Sequence, residues 1–342
     1  MRKKSVFFTF LLLVTLFFAG CSKLEKRQKR IENWFSNNGK LKVVCTTSPL
    51  KDITEALGVG LIDVESLIDA GLDPHAYELV KGDGEKLDRA DIIIASGLGL
   101  EHGASIEHIL NTSQKVVSVG SFFKKYFKEK LIITDGELDP HIWMDVALFS
   151  EALEPICSAL GEKMPQHKAL LEQRKGELKA RLFNLHCAIK KRLGSLPENR
   201  RYLVTAHDAF HYFTRAYLLE PGEDVSGAWK KRLVACEGLA PEGQVSFADM
   251  KSVIHFIQKY RVKVAFPESN VGRGFLVKVL EITKNQAKNR KKQGYEGIDF
   301  SVANEPLCAD TMLGEEGFDY VCSMTYNTEV IYRYLSEGMH EK

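Results

Sequence analysis

Three histidines of this chain stand in sequence contexts that suit metal ligation. His75 and His141 each follow an Asp-Pro pair, in the segments Asp73–Glu78 and Asp139–Asp145. Proline fixes its own φ angle and disfavours helix at the residue before it, so each pair predicts an extended segment or turn that directs an imidazole into a cleft. His207 follows an apolar run that ends at Ala206. Three imidazoles at predicted strand ends indicate a metal site.

The other histidines lack the Asp-Pro context. A single histidine is more often a surface residue or a hydrogen-bonded core residue than a ligand. His211 lies four residues after His207, and such a pair would share one side of a helix, as in zinc-binding helices. This pair is less favoured, because His207 is predicted to end a strand. The remaining histidines are interpreted as structural: His102, His108, His167, His186, His255 and His340.

The elements around these histidines alternate between short apolar strands and helices, which predicts an α/β fold with two lobes of parallel sheet and flanking helices. In the first half, strands are predicted at Leu41–Thr46, Ile62–Ile68, Asp91–Ala95 and Val116–Val119, and helices at Pro49–Ala56, Val80–Arg89, Gly103–Ile109 and Val146–Leu160. In the second half, strands are predicted at Tyr202–Thr205, Val262–Phe266 and Ile298–Ser301, and helices at Ala209–Ala216, Phe247–Tyr260, Phe275–Lys284 and Thr328–Leu335. Pro221–Gly243 is predicted to be a long loop and Gln286–Gly297 a basic, solvated insertion.

The longest predicted helix runs from Pro165 to Leu193, and its leucines recur at helical spacing. About thirty helical residues would span roughly 45 Å at 1.5 Å per residue. Such a helix can run along both lobes as a shared spine. The alternative is an ordinary amphipathic helix on one lobe.

The composition is that of a folded protein with room for two domains. Lys and Arg number 47 against 45 Asp and Glu, and no basic face with interleaved aromatics occurs, so nucleic acid is not expected as a partner.

The N-terminus carries the features of an export signal. Three basic residues at 2–4 precede the apolar run Val6–Phe18, and the small residues Ala19 and Gly20 precede Cys21. The segment resembles a bacterial lipobox, in which Cys21 is lipidated and becomes the first mature residue. Residues 1–20 are thus predicted to be a signal peptide and 21–39 a lipidated tether. The alternative for the tether is a short amphipathic helix packed on the body.

Six further cysteines permit one or more disulfides in an oxidising compartment, without a deducible pairing. Of these, Cys45 and Cys187 lie in apolar contexts and are predicted to be buried thiols.

A metal held by three neutral imidazoles favours an added carboxylate. Because ligands bind at the carboxyl ends of strands in open α/β sheets, we expect the site between the lobes and the carboxylate from the second lobe. The residues alone do not choose among five candidates: Asp208, Glu268, Asp299, Glu305 and Asp310.

At this point the chain resembles the metal-binding solute receptors of ABC transporters for manganese, zinc or iron. The resemblance runs from about Leu41 to Leu335. It rests on both Asp-Pro-His segments and on Thr205–Phe210, Phe266–Ser269 and Leu307–Met312.

This resemblance implies the metal ligands His75, His141, His207 and Asp310, with Asp299 as the alternative fourth ligand. It also implies that Glu268 orients an imidazole through its other ring nitrogen. The implied layout is an N-terminal α/β lobe at 40–163, a linking helix at 164–195 and a C-terminal α/β lobe at 196–342.

The implied function is that of an exported, lipid-anchored receptor, periplasmic or on the cell surface, that captures Mn²⁺, Fe²⁺ or Zn²⁺ and delivers it to a membrane permease with its ATPase subunit. Some zinc-dedicated members have a histidine-rich loop in the first lobe, whereas Thr112–Leu138 contains no histidine, which favours manganese or iron. A site filled by three histidines and a carboxylate has no obligatory position for a reactive water, so catalysis is not expected.

The alternatives are a secreted metal-dependent hydrolase that uses the same histidines, with Asp310 or Glu268 as the base, and a structural or adhesin-like lipoprotein. The chain lacks a His-Glu-x-x-His motif and a Gly-x-Ser-x-Gly elbow, which argues against the hydrolase.

Overall fold

The first sheet is built from short apolar strands that are covered on both faces. The computed structural model describes residues 29, 31–134, 136–239, 246–292, 299–313 and 318–337. Four parallel strands pair in the order β2-β1-β3-β4, and they are β1 (Leu41–Cys45), β2 (Ile62–Ser66), β3 (Ile92–Ala95) and β4 (Val116–Ser118). Every residue of β3 is buried, as expected for a parallel strand between helical layers. The helices of this part are α1 (Ser48–Leu57), α2 (Asp83–Arg89), α3 (Ala104–Thr112) and α4 (Val119–Tyr126).

A hairpin and three helices connect the two sheets. The antiparallel hairpin consists of β5 (Ile133–Thr134) and β6 (Glu137–Leu138), and the helices are α5 (Val146–Phe149), α6 (Leu153–Lys163) and α7 (Lys168–Gly194). The single helix predicted over Val146–Leu160 is interrupted by a 3-10 turn at Ser150–Ala152.

The second sheet repeats the strand order of the first. Its strands are β7 (Leu203–Thr205), β8 (Leu233–Ala235), β9 (Val264–Ala265) and β10 (Ser301–Val302), and its helices are α8 (His211–Tyr217), α9 (Glu223–Ser226), α10 (Phe247–Tyr260), α11 (Gly274–Lys292) and α12 (Tyr320–Ser336). β7 pairs with β8, β9 pairs with β10, and a parallel bridge from Thr205 to Phe266 joins the two pairs. The order is therefore β8-β7-β9-β10. The predicted α/β class with two parallel sheets is confirmed.

One prediction in the second half was wrong, and another falls partly outside the described residues. Pro221–Gly243 was predicted to be a loop, but it contains α9 and the strand β8. The strand has only three residues, too few for a periodic signal, and its pairing with β7 decides its conformation. Within Gln286–Gly297, residues 286–292 continue α11, and the rest lie outside the described residues.

The long helix α7 is a spine shared by both halves. Its buried residues Leu171, Leu182, Ile189 and Leu193 fall on one side, because offsets of 11, 18 and 22 residues return close to the same direction at 3.6 residues per turn. That side packs on α6 from the first half and on α12 from the second. One continuous core includes Val43 of the first sheet, Leu182 of α7 and Phe266 of the second half. The shared-spine interpretation is thus the one that the structure supports.

The described part of the segment before β1 lies against the first sheet. Residues 31–35 are helical, and Trp34 is 2% exposed within the apolar cluster that contains Val44 and Ile93. The indole Nε1 of Trp34 donates to the Asp63 carbonyl at 3.2 Å. This contact corresponds to the packed helix that was the alternative to a free tether. Cys21 and the predicted signal peptide lie outside the described residues.

The six described cysteines are all free, so none of the disulfides considered from the sequence forms among them. Cys45 is buried as predicted, whereas Cys187 is exposed on α7, so the prediction of a buried thiol was wrong there.

No helix among the described residues is both long and apolar enough to cross a membrane.

Candidate metal centre

Four buried side chains converge at the boundary between the two halves. One ligand atom from each of His75, His141, His207 and Asp310 lies within 4.8 Å of all the others. The Nε2 atoms of His75 and His141 are 3.3 Å apart. The Oδ1 atom of Asp310 lies 3.1 Å from His141 Nε2 and 3.3 Å from His207 Nε2. All four residues are at most 2% exposed, which is unusual for polar side chains unless they are paired or bind an ion.

The second sheet supplies its donors from the carboxyl ends of its strands. His207 lies two residues beyond β7, and Asp310 lies beyond β10 and the bridge between Glu268 and Leu307. Ligands of open α/β sheets bind at this edge. The histidines of the first half are not at the ends of strands of its parallel sheet. His75 lies well beyond the end of β2, and His141 follows the small hairpin strand β6. The prediction of strand-end histidines therefore applies directly to His207 alone.

Both Asp-Pro-His segments form the same local turn. The backbone N–H of His75 donates to Asp73 Oδ1 at 2.9 Å, and the backbone N–H of His141 donates to Asp139 Oδ1 at 2.9 Å. Aspartate side chains commonly accept from the backbone two residues on in this way. We call Asp73–His75 the first Asp-Pro-His turn and Asp139–His141 the second.

The rings of His141 and His207 are each backed by a buried carboxylate. Asp139 Oδ1 lies 2.7 Å from His141 Nδ1. Glu268 Oε2 contacts His207 Nδ1, and Glu268 Oε1 accepts from the backbone N–H of Ala206 at 2.9 Å and of His207 at 3.0 Å. A carboxylate on Nδ1 holds the proton there and leaves the Nε2 lone pair for a metal.

Asp310 is held by contacts on either side. Asn270 Nδ2 donates to Asp310 Oδ2 at 2.6 Å, and the same oxygen lies 3.2 Å from His207 Nε2, while only Oδ1 is also within 3.1 Å of His141 Nε2. The carbonyl of Ala309 accepts from Trp143 Nε1 at 2.8 Å, and Trp143 belongs to the segment of the second Asp-Pro-His turn. The segment that carries Asp310 is thus tied to the second Asp-Pro-His segment of the other half.

The histidines of the site differ in pKa, depending on whether a carboxylate lies beside the ring. Burial lowers the pKa of His75 to about 3, so its imidazole is neutral. Burial also opposes protonation of His141, but Asp139 and Asp310 outweigh it and raise the pKa of His141 to about 9. Burial likewise acts against charge on Asp310, but His207 and His141 hold the pKa of Asp310 well below its usual value. Without metal, protons on the imidazoles therefore neutralise the buried carboxylates.

Comparison with known proteins identifies the family. The family model for the periplasmic zinc-uptake complex component A, ZnuA, matches residues 43–334. The chain belongs to this family. It is 37% identical over 247 residues to the metal-binding protein YtgA of Chlamydia pneumoniae, with 72% of this chain and 76% of that protein covered.

Two further similarities extend this identification. The chain is 31% identical over 253 residues to the manganese-binding lipoprotein MntA of Bacillus subtilis, with 73% of this chain and 78% of that protein covered. It is also similar to the crystal structure of Fe(III)-bound YtgA from Chlamydia trachomatis, with a TM-score of 0.78, 30% identity, and 86% of this chain and 97% of that chain covered.

This ZnuA-family protein is accordingly a metal-binding substrate receptor of an ABC transporter. Its relatives are transport receptors and not enzymes, so the hydrolase alternative is not supported.

The other candidate carboxylates lie apart from the four converging side chains. Asp299 is exposed, so the alternative fourth ligand is not brought to the site. Glu305 bonds to Arg333 and Tyr334, and Asp208 lies 3.7 Å from His211 Nε2.

Sequence reasoning missed three supporting residues. Asp139 was visible as the first residue of the repeated Asp-Pro-His motif, but its contact with the ring of His141 was not anticipated. Asn270 directly follows the segment Phe266–Ser269, with nothing in the sequence to single it out. His211, considered only as a ligand, contacts Asp139 instead.

Proposed function

We propose that His75, His141, His207 and Asp310 coordinate a transition-metal ion as the cargo of this receptor. The observation that carries the proposal is the convergence of three imidazole nitrogens and one carboxylate oxygen in a fully buried site. Three neutral imidazoles and one carboxylate form a donor set that accepts Mn²⁺, Fe²⁺ and Zn²⁺.

Glu268 is proposed to orient His207 through Nδ1. One oxygen of Glu268 accepts from the backbone N–H of His207 and the other contacts its ring Nδ1, which fixes the direction of Nε2.

Manganese or iron is the proposed physiological cargo. Thr112–Leu138 contains no histidine, unlike the loop of some zinc-dedicated receptors, and the relatives include a manganese-binding lipoprotein and an Fe(III)-bound crystal structure. Affinity by itself does not decide this point, because sites of nitrogen and oxygen donors generally bind Zn²⁺ more tightly than Mn²⁺ or Fe²⁺.

Delivery to a permease is proposed to require a small separation of two lobes, residues 40–163 and 196–342, about the linking helix at 164–195. The continuous core around α7 supports a small movement, since a large hinge opening would expose it. Export and lipidation at Cys21 would hold the receptor at the membrane surface beside its permease and ATPase subunit.

The test is metal content and stoichiometry of the soluble form that begins at Ser22, by elemental analysis, with thermal melts in added Mn²⁺, Fe²⁺ and Zn²⁺. We expect one metal ion per chain and a higher melting temperature with metal, and loss of both in Asp310→Ala. Asp299→Ala is the matched control, because Asp299 is exposed, and it should behave as the wild type. Retention of metal by Asp310→Ala together with its loss from Asp299→Ala would reverse the ligand assignment. A wild-type chain without metal would refute the site.

A further inference from the structure

His211 is a buried histidine close to the metal centre that is not one of the four converging side chains. It begins α8 and is 8% exposed. Its Nδ1 atom lies 3.0 Å from Asp139 Oδ2, and its Nε2 atom lies 3.7 Å from Asp208 Oδ1. Its ring also packs edge-on against Trp229, with centroids 6.1 Å apart. The ring is thus fixed between a carboxylate, an indole and a second acidic side chain.

The Asp139 carboxylate is shared between two imidazoles, one on each oxygen. Oδ1 bonds to His141 at both its backbone N–H and its ring Nδ1, and Oδ2 bonds to His211 Nδ1. A carboxylate is planar, so a donor that fixes Oδ2 also fixes the direction of Oδ1. Without a donor on Oδ2, the fully buried Asp139 would have a charged oxygen lacking a partner, which favours rotation of the group.

The next residue, Tyr212, bonds to the backbone of the same aspartate, Asp139. Its hydroxyl donates to the Asp139 carbonyl at 3.1 Å. Two consecutive residues of α8 therefore form hydrogen bonds to Asp139, one to its side chain and one to its backbone carbonyl. Since α8 follows α7 and Asp139 precedes it, these hydrogen bonds cross between the two halves of the molecule.

We propose that His211 is a positioning residue for metal binding, which acts through Asp139 to hold the ligand His141 with Nε2 directed at the metal. This inference rests on the metal-receptor function proposed above and deepens it. His211 does not touch the metal. It keeps Asp139 in the orientation that fixes the proton on His141 Nδ1, and so raises the affinity of a site to which it contributes no donor atom.

The test compares two amide substitutions at the same position. In His211→Asn the side-chain nitrogen falls at the place of Nδ1 and can still donate to Asp139. In His211→Gln the amide falls at the place of Nε2, toward Asp208. Both replacements are polar and of similar size, so a difference between them reports the bond to Asp139 and not the loss of the ring.

The readouts are the dissociation constant for Co²⁺, the visible absorption spectrum of the Co²⁺ complex and the melting temperature of the metal-free protein. We expect His211→Gln to weaken Co²⁺ binding about 10- to 100-fold and to shift the absorption bands. We expect His211→Asn to stay within about threefold of the wild type, in keeping with the preserved bond. The two metal-free variants should melt at similar temperatures.

A control at the neighbouring interface is His186→Gln. His186 Nδ1 contacts the Tyr217 hydroxyl at 3.1 Å and has no part in the Asp139 pair, so this variant should keep wild-type affinity and spectrum. Equal Co²⁺ affinities and spectra for His211→Asn and His211→Gln would overturn the positioning role. A wild-type protein that binds no Co²⁺ would instead refute the proposed metal site itself.

Discussion

The two Asp-Pro-His turns share a sequence and a local hydrogen bond but differ in what surrounds them. Asp139 of the second turn is fully buried and contacts the rings of His141 and His211. Asp73 of the first turn is half-buried, and the neighbouring Leu72 is 45% exposed. Thus the same motif places one histidine on a buried, multiply hydrogen-bonded turn and the other on a more exposed segment.

The first turn also lies in a longer irregular segment. Residues 67–82, between β2 and α2, contain no helix or strand. The bond from the Gly71 backbone N–H to Thr311 Oγ1, at 3.0 Å, joins this segment to the residue after Asp310, the proposed carboxylate ligand. Irregular segments with many exposed residues open more readily than core strands and helices. The comparison predicts that the second turn holds its histidine more rigidly than the first does.

The largest expected effect comes from removing one histidine of each turn. Four-ligand zinc sites bind with about 10–16 kcal/mol, so one ligand contributes roughly 3–4 kcal/mol, or a factor of a few hundred in affinity. We expect His75→Ala to weaken binding by about this factor. His141→Ala should abolish measurable binding, because it also leaves the buried charge of Asp139 without one of its two imidazoles. Isothermal titration with Mn²⁺ and Zn²⁺ measures both, and equal losses would contradict the difference between the turns.

The second expected effect is a pH dependence of affinity that comes from His141 and His207, whose pKa values are raised, against the effect of burial, by neighbouring carboxylates, and not from His75. The pKa of His141 is raised to about 9, so below that pH the metal must displace a proton, and affinity should rise with pH up to about 9. The pKa of His75 is lowered to about 3, so near neutral pH His75 carries no proton to displace.

Metal titrations at several pH values test this assignment. Each displaced proton should contribute up to tenfold in affinity for each unit of pH between about 6 and 9. His75→Ala should bind more weakly than the wild type but with the same slope against pH. A slope reduced by one proton in His75→Ala, or an affinity independent of pH, would refute the charge assignment.

The smallest expected effect concerns the stability of the metal-free protein. Tyr212→Phe removes a buried hydroxyl that bonds to the Asp139 carbonyl and to the Ile132 backbone N–H, each at 3.1 Å. Two buried backbone groups lose a partner, so we expect a loss of about 2–3 kcal/mol in the free energy of unfolding. Thr311→Val removes the single bond from Gly71 and should cost about 1 kcal/mol.

Chemical denaturation of the two variants beside the wild type measures this difference. A Thr311→Val loss as large as that of Tyr212→Phe would show that the first turn is anchored as firmly as the second.

Much of the fold was predictable from local patterns. Helix α10 was predicted at its observed bounds because its apolar residues recur at helical spacing, and in the structure Ser246 and Asp249 form a capping box at its start. The strand β8 was not predictable, because three residues carry no periodicity and only pairing with β7 makes them a strand. The burial of Trp34 likewise depends on the face of the sheet that it covers.

The sequence by itself determined which side chains could bind a metal. Repeated Asp-Pro-His motifs predict extended segments or turns with an aspartate two residues before each histidine, and these are local properties of proline and aspartate. The resemblance then singled out Asp310 among five carboxylates. The convergence of His75, His141, His207 and Asp310 is a property of the fold, since their positions depend on the packing of both halves on α7.

Only the tertiary structure decided how the two turns differ. The role of Asp139 depends on His211 and Tyr212, which lie more than 70 residues away along the chain. Hydrogen bonds between such distant residues leave no periodic signal, because they arise when packing brings separate elements together. The physical reason is that local sequence specifies the turn itself. Burial and hydrogen bonds from distant residues specify the protonation of its side chains and how rigidly the turn is held.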